Sequence, residues 1–259
     1  MDKDLVEIKD VDLIYLGDKE DLKVLYNINL TIKENEFICL LGPSGCGKST
    51  LLNIIAGFVK PSVGTVELNG KAIEGPNSNR GVVFQDSVLY PWLNIYDNVS
   101  FGIRMRKFLK EEVAELTNQY LELVGLGEFR DHRPYELSGG MRQRACLARI
   151  LIGNPRIILM DEPFGALDSM TRDKMQELTR KIWFKTKNTV FLITHDIDEA
   201  LLLGTRVILM SPRPGKIMKE FNLDFTSKIL SGSYKDIRYS KEYQDIRKEI
   251  VDTISLYQV

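Results

Sequence analysis

The sequence feature that most constrains the fold is a glycine-rich octapeptide, Gly42-Pro43-Ser44-Gly45-Cys46-Gly47-Lys48-Ser49. The apolar run over residues 37–41 precedes it and is typical of a buried parallel strand. Residues 50–56 follow it with the pattern of an apolar helix, which we expect to end at Gly57. A strand, a glycine-rich turn and a helix in this order predict a loop that cradles phosphate.

The residue types in this loop suit a nucleoside triphosphate. Glycines let backbone N–H groups converge on an anion without obstruction by Cβ, and a helix N-terminus adds unpaired donors and partial positive charge. We expect Lys48 to bridge the terminal phosphates and the Ser49 hydroxyl to hold Mg²⁺. The alternative is a glycine-rich turn that binds nothing, and the flanking strand and helix disfavour it.

Composition sets the size and the setting of the chain. At 259 residues and 44% hydrophobic, it can bury a substantial core, as one large domain or as one domain with a subdomain. A net charge of −1 does not argue for nucleic acid as the main partner. Cysteines 39, 46 and 146 show neither paired nor metal-ligand spacing, which favours a reduced, cytosolic setting. We find no secretory signal and no apolar run of 18 residues, so we expect the chain itself not to span a membrane.

The hydrophobic pattern predicts an α/β chain with a helical insertion. Residues 4–11 and 22–33 read as strands, as does the apolar alternation before the hairpin signal Asn69-Gly70, so we expect an antiparallel sheet near the N-terminus. We predict a single domain over residues 1–259. Its α/β core, with the β edge subdomain, takes residues 1–88 and 155–259, and its helical subdomain takes residues 89–154.

A second chemical signal is the acidic pair Asp161-Glu162, which follows the apolar run over residues 157–160. In NTP hydrolysis Asp161 would hold the Mg²⁺ shell, and Glu162 would polarise the attacking water as general base, a role typically worth about 10²- to 10⁴-fold in rate. The alternative is a pair of charges that merely follows a strand. The presence of Lys48 and Ser49 in the same chain favours the catalytic interpretation.

A third motif, Leu137-Ser138-Gly139-Gly140-Met141-Arg142-Gln143-Arg144, begins a predicted helix with Ser138 as its N-cap. Ser-Gly-Gly alone is also an ordinary turn. Two glycines at a helix N-terminus offer backbone N–H groups to phosphate. A domain with one phosphate loop does not need this second anion site for its own nucleotide, but the nucleotide of a second copy could use it.

These motifs occur together and in order with Gln85, the segment Gly165-Ala166-Leu167-Asp168, and His195. The combination resembles the ATP-binding subunit of ABC transporters over nearly the whole chain. The resemblance implies a P-loop (RecA-like) ABC ATPase core with an antiparallel β edge subdomain and a helical subdomain. It also implies that two copies sandwich two ATP molecules.

The resemblance further implies roles for single residues. Tyr15 resembles the aromatic residue that stacks on adenine, and a core tyrosine on a strand face is the alternative. Gln85 resembles the residue that contacts Mg²⁺ and the attacking water. His195 resembles the switch histidine that contacts the γ-phosphate, and Asp168 resembles a residue that communicates across the dimer.

The implied residue sets are as follows. The residues implied to bind ATP are Tyr15, Gly42, Pro43, Ser44, Gly45, Cys46, Gly47, Lys48, Ser49 and Thr50. The catalytic set is Glu162, His195, Gln85 and Lys48, and the Mg²⁺ ligands are Ser49, Gln85 and Asp161. The residues offered to the nucleotide of a second copy are Ser138, Gly139, Gly140 and Gln143.

Further segments are similar to the nitrate/sulfonate/taurine importers, among them Pro91-Trp92 and Ser211-Pro212-Arg213-Pro214-Gly215, and the tail over 224–237 is most similar to the taurine type. This implies ATP-driven uptake of a small anion. We expect taurine or a related sulfonate, with nitrate, bicarbonate or a vitamin precursor as open alternatives. The implied partners are a second ATPase subunit, two transmembrane permease subunits and an extracytoplasmic solute-binding protein. The implied location is peripheral, at the cytoplasmic face of the membrane.

Two other classes of function compete with this interpretation. One is a soluble ABC-type ATPase that acts on nucleic acid or ribosomes, but the basic cluster Arg104, Arg106, Lys107 and Lys110 is more typical of a solvated face, and we expect no nucleic-acid partner. The other is a scaffold that binds nucleotide without hydrolysis, which the intact Glu162 disfavours. We predict that the permease binds between Gln85 and Val99, where Trp92 is either an interface residue or a core residue.

Overall fold

The structure is a computed structural model that describes residues 3–17, 20–106, 108–232 and 236–256. Lys107 of the basic cluster and part of the 224–237 tail lie outside the described residues. The chain forms two compact units. The first unit consists of Met1–Asn77 and Lys187–Val259, and the second consists of Ser78–Thr186. The predicted division into core and helical subdomains at residues 89 and 154 stays a prediction.

The elements follow one another along the chain. The strands are β1 (Asp4–Tyr15), β2 (Leu22–Lys33), β3 (Phe37–Leu41), β4 (Val63–Leu68), β5 (Lys71–Ala72), β6 (Arg80–Val83), β7 (Ile157–Asp161), β8 (Thr189–Ile193), β9 (Arg206–Met210) and β10 (Ile217–Asn222). The helices are α1 (Lys48–Ala56), α2 (Ile95–Arg104), α3 (Lys110–Leu123), α4 (Gly139–Leu151), α5 (Ser169–Thr186), α6 (Ile197–Leu203), α7 (Phe225–Leu230) and α8 (Lys241–Ser255).

In the first unit, an antiparallel sheet with the order β2-β1-β4-β5 confirms the predicted β edge. Inward-facing apolar residues alternate with polar ones along β2, which is the pattern of a sheet with one solvated face. The strand predicted over residues 4–11 continues to Tyr15.

The parallel part of the first unit has β3 between β8 and β9, and β10 pairs antiparallel with β9. All residues of β3 are buried, as expected for a central parallel strand. Leu40 is in register with Ile193 of β8, and Leu41 with Leu209 of β9. The carboxyl ends of these three strands therefore share one edge of the sheet.

The second unit contains the parallel pair β6 and β7 together with helices α2 to α5. Val83 at the end of β6 is in register with Met160 of β7. Helix α2 packs against α3 and α4. Its fully buried Asn98 accepts a hydrogen bond from the Tyr90 N–H (2.7 Å) and donates to the carbonyls of Tyr90 and Leu93 (3.1 and 3.2 Å), so it fixes the loop before α2.

The structure confirms the predicted α/β class. The helix predicted to follow the phosphate loop begins at Lys48 and ends before Gly57. Within the described parts of the chain, no helix has both the length and the apolar character needed to cross a membrane.

Candidate functional site

The phosphate loop, residues 42–49, joins β3 to α1 in the first unit. Gly45 and Gly47 have φ values of 76° and 104°, in the left-handed region that glycine adopts without strain. A Cβ at Gly47 would lie only 2.7 Å from Leu25 Cδ2 and 3.1 Å from Val24 Cγ1. The loop therefore requires glycine at this position both for its backbone conformation and for its packing on β2.

The charge of the loop comes from Lys48, whose side chain is only 7% exposed. Its Nζ donates hydrogen bonds to the carbonyl oxygens of Gly42 (2.8 Å) and Pro43 (2.9 Å). Burial raises the pKa of the nearby Cys46 thiol, and Lys48 opposes that shift more weakly. The thiol therefore stays neutral at physiological pH, and the loop presents a cation without a neighbouring thiolate.

His195 follows β8, the neighbour of β3, at the same edge of the sheet as the phosphate loop. The Thr194 N–H donates to the Leu40 carbonyl (3.2 Å), so the pairing continues to the residue before His195. His195 itself is exposed. Tyr15 ends β1 with 46% of its surface exposed, which excludes the alternative that it is a core tyrosine.

In the second unit, Gln85 and Glu162 come together. Gln85 follows the end of β6 by two residues, and Glu162 directly follows β7. A Cβ at Gly165 would lie 3.8 Å from Glu162 Oε2 and 3.9 Å from Gln85 Nε2, so both side chains border the same glycine. This arrangement places an amide and the predicted general base on the same glycine.

The backbone of Glu162 is strained. Its φ is 43°, in the left-handed region that few residues other than glycine adopt. Such conformations persist only where the surrounding structure fixes them, and they cluster at functional sites. The Gly165 N–H donates to the Glu162 carbonyl (3.2 Å), which closes a turn around the residue.

The motif over residues 137–144 begins α4, as predicted. The Ser138 hydroxyl accepts a hydrogen bond from the Met141 N–H (3.3 Å) and caps the helix. Gly140 packs so closely on Thr171 that a Cβ would overlap the Thr171 methyl group. The Asp168 carboxylate accepts a bond from the Thr171 N–H (3.0 Å), and hydrogen bonds from Thr171 lower the pKa of Asp168. The start of α4 thus rests against the segment that contains Asp168.

Gln143 has a partner that the sequence did not predict. It is 3% exposed, and its Oε1 accepts a hydrogen bond from the Ser87 hydroxyl (2.7 Å). Its Nε2 has no hydrogen-bond partner among the described residues. The bond connects the segment after Gln85 directly to α4, so Gln143 contacts its own unit. The assignment of Gln143 to the nucleotide of a second copy stays a prediction.

Trp92 lies in the loop fixed by Asn98 and is 69% exposed, so the core alternative is wrong. Its carbonyl accepts a hydrogen bond from the Arg133 guanidinium. The ring of Tyr90 lies 5.5 Å from the Trp92 ring. Val88 and Tyr135 of the same unit are also exposed large apolar residues. The second unit therefore presents large apolar side chains to solvent after Gln85, as expected for an interface.

Comparison with known proteins identifies the family. The family model described as "ABC transporter" matches residues 25–165, which is more than half of the chain. The chain belongs to the ABC transporter family. It is an ABC-type ATPase, and the predicted resemblance is confirmed.

Curated relatives and solved structures resemble this ABC ATPase over most of their length. The taurine import ATP-binding protein TauB of Pelagibacter ubique is 49% identical, over 91% of this chain and 89% of that protein. TauB of Rhizobium johnstonii is 51% identical, over 87% of each chain. The dimeric, post-hydrolysis structure of the ATP-binding cassette MJ0796 bound to ADP and Pi has a TM-score of 0.73 and 35% identity, and covers 85% of this chain and 99% of that one.

Two features of this ABC ATPase were not predicted as parts of the site. The turn over residues 211–215 contacts the phosphate loop through Arg213 and Gly215, although the sequence indicated only a turn and a subfamily match. Asp198, on the helix that follows His195, accepts hydrogen bonds from the Tyr243 hydroxyl (2.8 Å) and Arg247 Nε (2.9 Å) of α8. Because both links join residues far apart in sequence, no local sequence pattern predicts them.

Proposed function

We propose that this chain is the ATP-hydrolysing subunit of a membrane importer for taurine or a closely related small sulfonate. The observation that carries the ATPase part is the phosphate loop, where left-handed glycines and a buried Lys48 form a cationic cradle after β3. The substrate part is supported by the TauB relatives, which are named for taurine import.

Different residues of the chain would bind the phosphates, accept the proton and orient the attacking water. Lys48 is held by two loop carbonyls, and it would exchange them for the oxygens of the terminal phosphates when ATP binds. Glu162 would accept the proton of the attacking water, and Gln85 beside it would orient that water. The exposed His195 would donate a hydrogen bond to the γ-phosphate as negative charge develops there during the reaction.

Mg²⁺ fits the residues assigned to it. Mg²⁺ prefers oxygen ligands and is usually bound by one or two protein groups together with substrate phosphates. Ser49, Gln85 and Asp161 offer a hydroxyl, an amide oxygen and a carboxylate. When bound with ATP, the ion would supply positive charge that stabilises the leaving phosphate.

The second anion site suits a nucleotide-sandwich dimer. The backbone N–H groups at the start of α4, next to Ser138 and Gly139, would bind the γ-phosphate of the ATP held by a second copy. The segment around Asp168, which packs against the start of α4, would relay the state of one site to the other. The dimeric form of the related cassette supports this assembly.

The exposed loop with Trp92 would bind a transmembrane permease subunit, and two permease subunits with an extracytoplasmic solute-binding protein would complete the importer. The chain would then lie peripherally on the cytoplasmic face of the membrane. Because Ser87 joins the segment after Gln85 to α4, a movement of this loop would reach the residues assigned to the second nucleotide.

The test is uptake by the assembled importer. The chain is co-expressed with the permease and the solute-binding protein proposed as its partners and reconstituted in vesicles. We expect ATP-dependent uptake of labelled taurine, with none when the chain carries Lys48→Ala. Calorimetry on the solute-binding protein, with taurine, an alkanesulfonate and nitrate as ligands, checks the cargo separately. Tight binding of nitrate or an unrelated compound alone would overturn the substrate and leave the ATPase assignment intact.

A further inference from the structure

Three segments follow the carboxyl ends of neighbouring parallel strands in the first unit. The phosphate loop follows β3, His195 follows β8, and the turn over residues 211–215 follows β9. The first two have roles in the proposed function, and the third has none. We propose that this 211–215 turn positions the phosphate loop, with Arg213 as the positioning residue for nucleotide phosphates. The inference rests on the proposed ATP site and adds a residue to it.

The backbone of the turn is fixed against β2 and the phosphate loop. The Gly215 N–H donates to the Val24 carbonyl (2.8 Å), and the Tyr26 N–H donates to the Gly215 carbonyl (3.0 Å). A Cβ at Gly215 would overlap the carbonyl oxygen of Cys46 in the phosphate loop. Because β2 also packs against Gly47, the loop is enclosed by two elements that are bonded to each other.

The turn is also closed on itself. The Ser211 N–H donates to the Lys216 carbonyl (2.9 Å), and the Lys216 N–H donates to the Ser211 hydroxyl oxygen (3.0 Å). The Ser211 hydroxyl donates to the Pro214 carbonyl (3.2 Å). Arg213 therefore projects from a backbone that is held on both sides.

The Arg213 guanidinium reaches the phosphate loop. Its Nε donates to the Gly45 carbonyl (3.2 Å), and its Nη2 lies 3.2 Å from the position that a Cβ of Gly45 would take. The N–H of the same peptide group, that of Cys46, donates to the Pro43 carbonyl (3.4 Å). Because a peptide group is planar, holding both its oxygen and its nitrogen fixes the orientation of the whole group.

This fixed peptide matters because Gly45 would otherwise be free to rotate. Glycine loses more conformational entropy than other residues when it is ordered, and an unsupported loop would bear that cost on binding. A loop ordered beforehand binds its ligand more tightly, since less freedom is lost. The guanidinium also adds a positive charge next to a loop that receives a polyanion. Arg213 should therefore strengthen the binding of any nucleotide whose phosphates occupy the loop.

The test compares Arg213→Ala, Arg213→Lys and the control Lys216→Ala in the full chain. Lys216 is a cation adjoining the same turn, but its Nζ lies over the Tyr26 ring at 4.3 Å from the centroid. Calorimetry measures the Kd for ADP and for a non-hydrolysable ATP analogue, both with Mg²⁺. Steady-state assays give kcat and KM, and thermal unfolding without nucleotide reports on the fold.

For Arg213→Ala we expect the Kd for both nucleotides to rise about three- to tenfold by the same factor, as for loss of one exposed charge-assisted hydrogen bond. KM should rise by a similar factor, while kcat should stay within about twofold of the parent value. The Kd of Arg213→Lys should lie between the values for the parent and for Arg213→Ala. An unchanged Kd, an equal loss in Lys216→Ala, or a loss confined to the ATP analogue would overturn the inference. A parent chain that binds neither nucleotide would instead overturn the proposed function.

Discussion

The phosphate loop of the first unit and the segments around the start of α4 in the second unit are held in place by different means. In the first unit backbone conformation and close packing fix most of the loop, with glycines where a Cβ would meet Leu25 or the Cys46 carbonyl, and Arg213 adds one side-chain bond to Gly45. In the second unit, side-chain hydrogen bonds contribute more to holding the segments in place. Ser87 bonds to Gln143, Thr171 to Asp168, and Ser138 caps its own helix.

This difference predicts opposite sensitivities to mutation. A site fixed by close backbone approach is damaged when an atom is added, because the packed neighbours cannot move away. A site fixed by side-chain hydrogen bonds is damaged when a group is removed, because a buried partner then loses its bond. Substitutions in each unit test this difference.

The largest effect should come from Glu162→Gln, which removes the predicted base but keeps the size of the side chain and the turn around it. We expect kcat to fall about 10²- to 10⁴-fold while the Kd for ATP stays within about threefold. Rapid-quench hydrolysis and calorimetry measure the two quantities. Glu115→Gln, at an exposed position on α3, serves as the control and should hydrolyse ATP like the parent. A Glu162→Gln chain with parental kcat would show that another group is the base.

Gly47→Ala should act on binding, since it places a Cβ 2.7 Å from Leu25 Cδ2 at a residue whose φ is 104°. Backbone strain of this kind costs about 1–3 kcal/mol, so we expect ATP affinity to fall about 5- to 150-fold. Gly70→Ala is a matched control. Gly70 also has a positive φ of 69°, but no atom of the described residues beyond its two chain neighbours lies within 4 Å of the position of its Cβ. If both variants bound ATP like the parent, close packing would not be what fixes the loop.

These two sites also show how far the sequence could predict the structure. The phosphate loop was predictable because its strand, glycines and helix are contiguous, and each glycine has a local backbone reason. The bonds from Ser87 to Gln143 and from Arg213 to Gly45 were not, since they join residues 56 and 168 positions apart. Side-chain partners at such separations depend on how the elements pack. For the same reason the sequence could not decide whether Trp92 is exposed. An aromatic residue beside a loop is equally common in a core and at an interface.

Gln143→Leu should have a smaller effect, and it tests the side-chain half of the contrast. The substitution removes the acceptor of the Ser87 hydroxyl, but it also removes Nε2, a buried atom without a partner among the described residues. Because these two changes oppose each other, we expect the free energy of unfolding to change by about 1 kcal/mol or less. A double-mutant cycle with Ser87→Ala, read by denaturant unfolding, should give a coupling of about 0.5–1.5 kcal/mol. A coupling of zero would mean that the bond does not hold the two segments together.

Trp92→Ala should have the smallest effect on the isolated chain and a large effect on its assembly. Most of the Trp92 side chain is in solvent, and its bond with Arg133 uses the backbone carbonyl, which alanine keeps. We therefore expect the free energy of unfolding to change by no more than about 0.5 kcal/mol. Ile95→Ala, at a fully buried position three residues further on, should cost about 2–5 kcal/mol, and it shows what a core residue of this segment contributes. Pull-down with the permease should then distinguish the two variants. Truncating an aromatic anchor at an interface centre often costs more than about 2 kcal/mol of binding free energy. Trp92→Ala should lose the permease while staying folded. A variant that stays folded and retains the permease would place the interface elsewhere on the second unit. A loss of stability as large as that of Ile95→Ala would contradict the exposed position of Trp92.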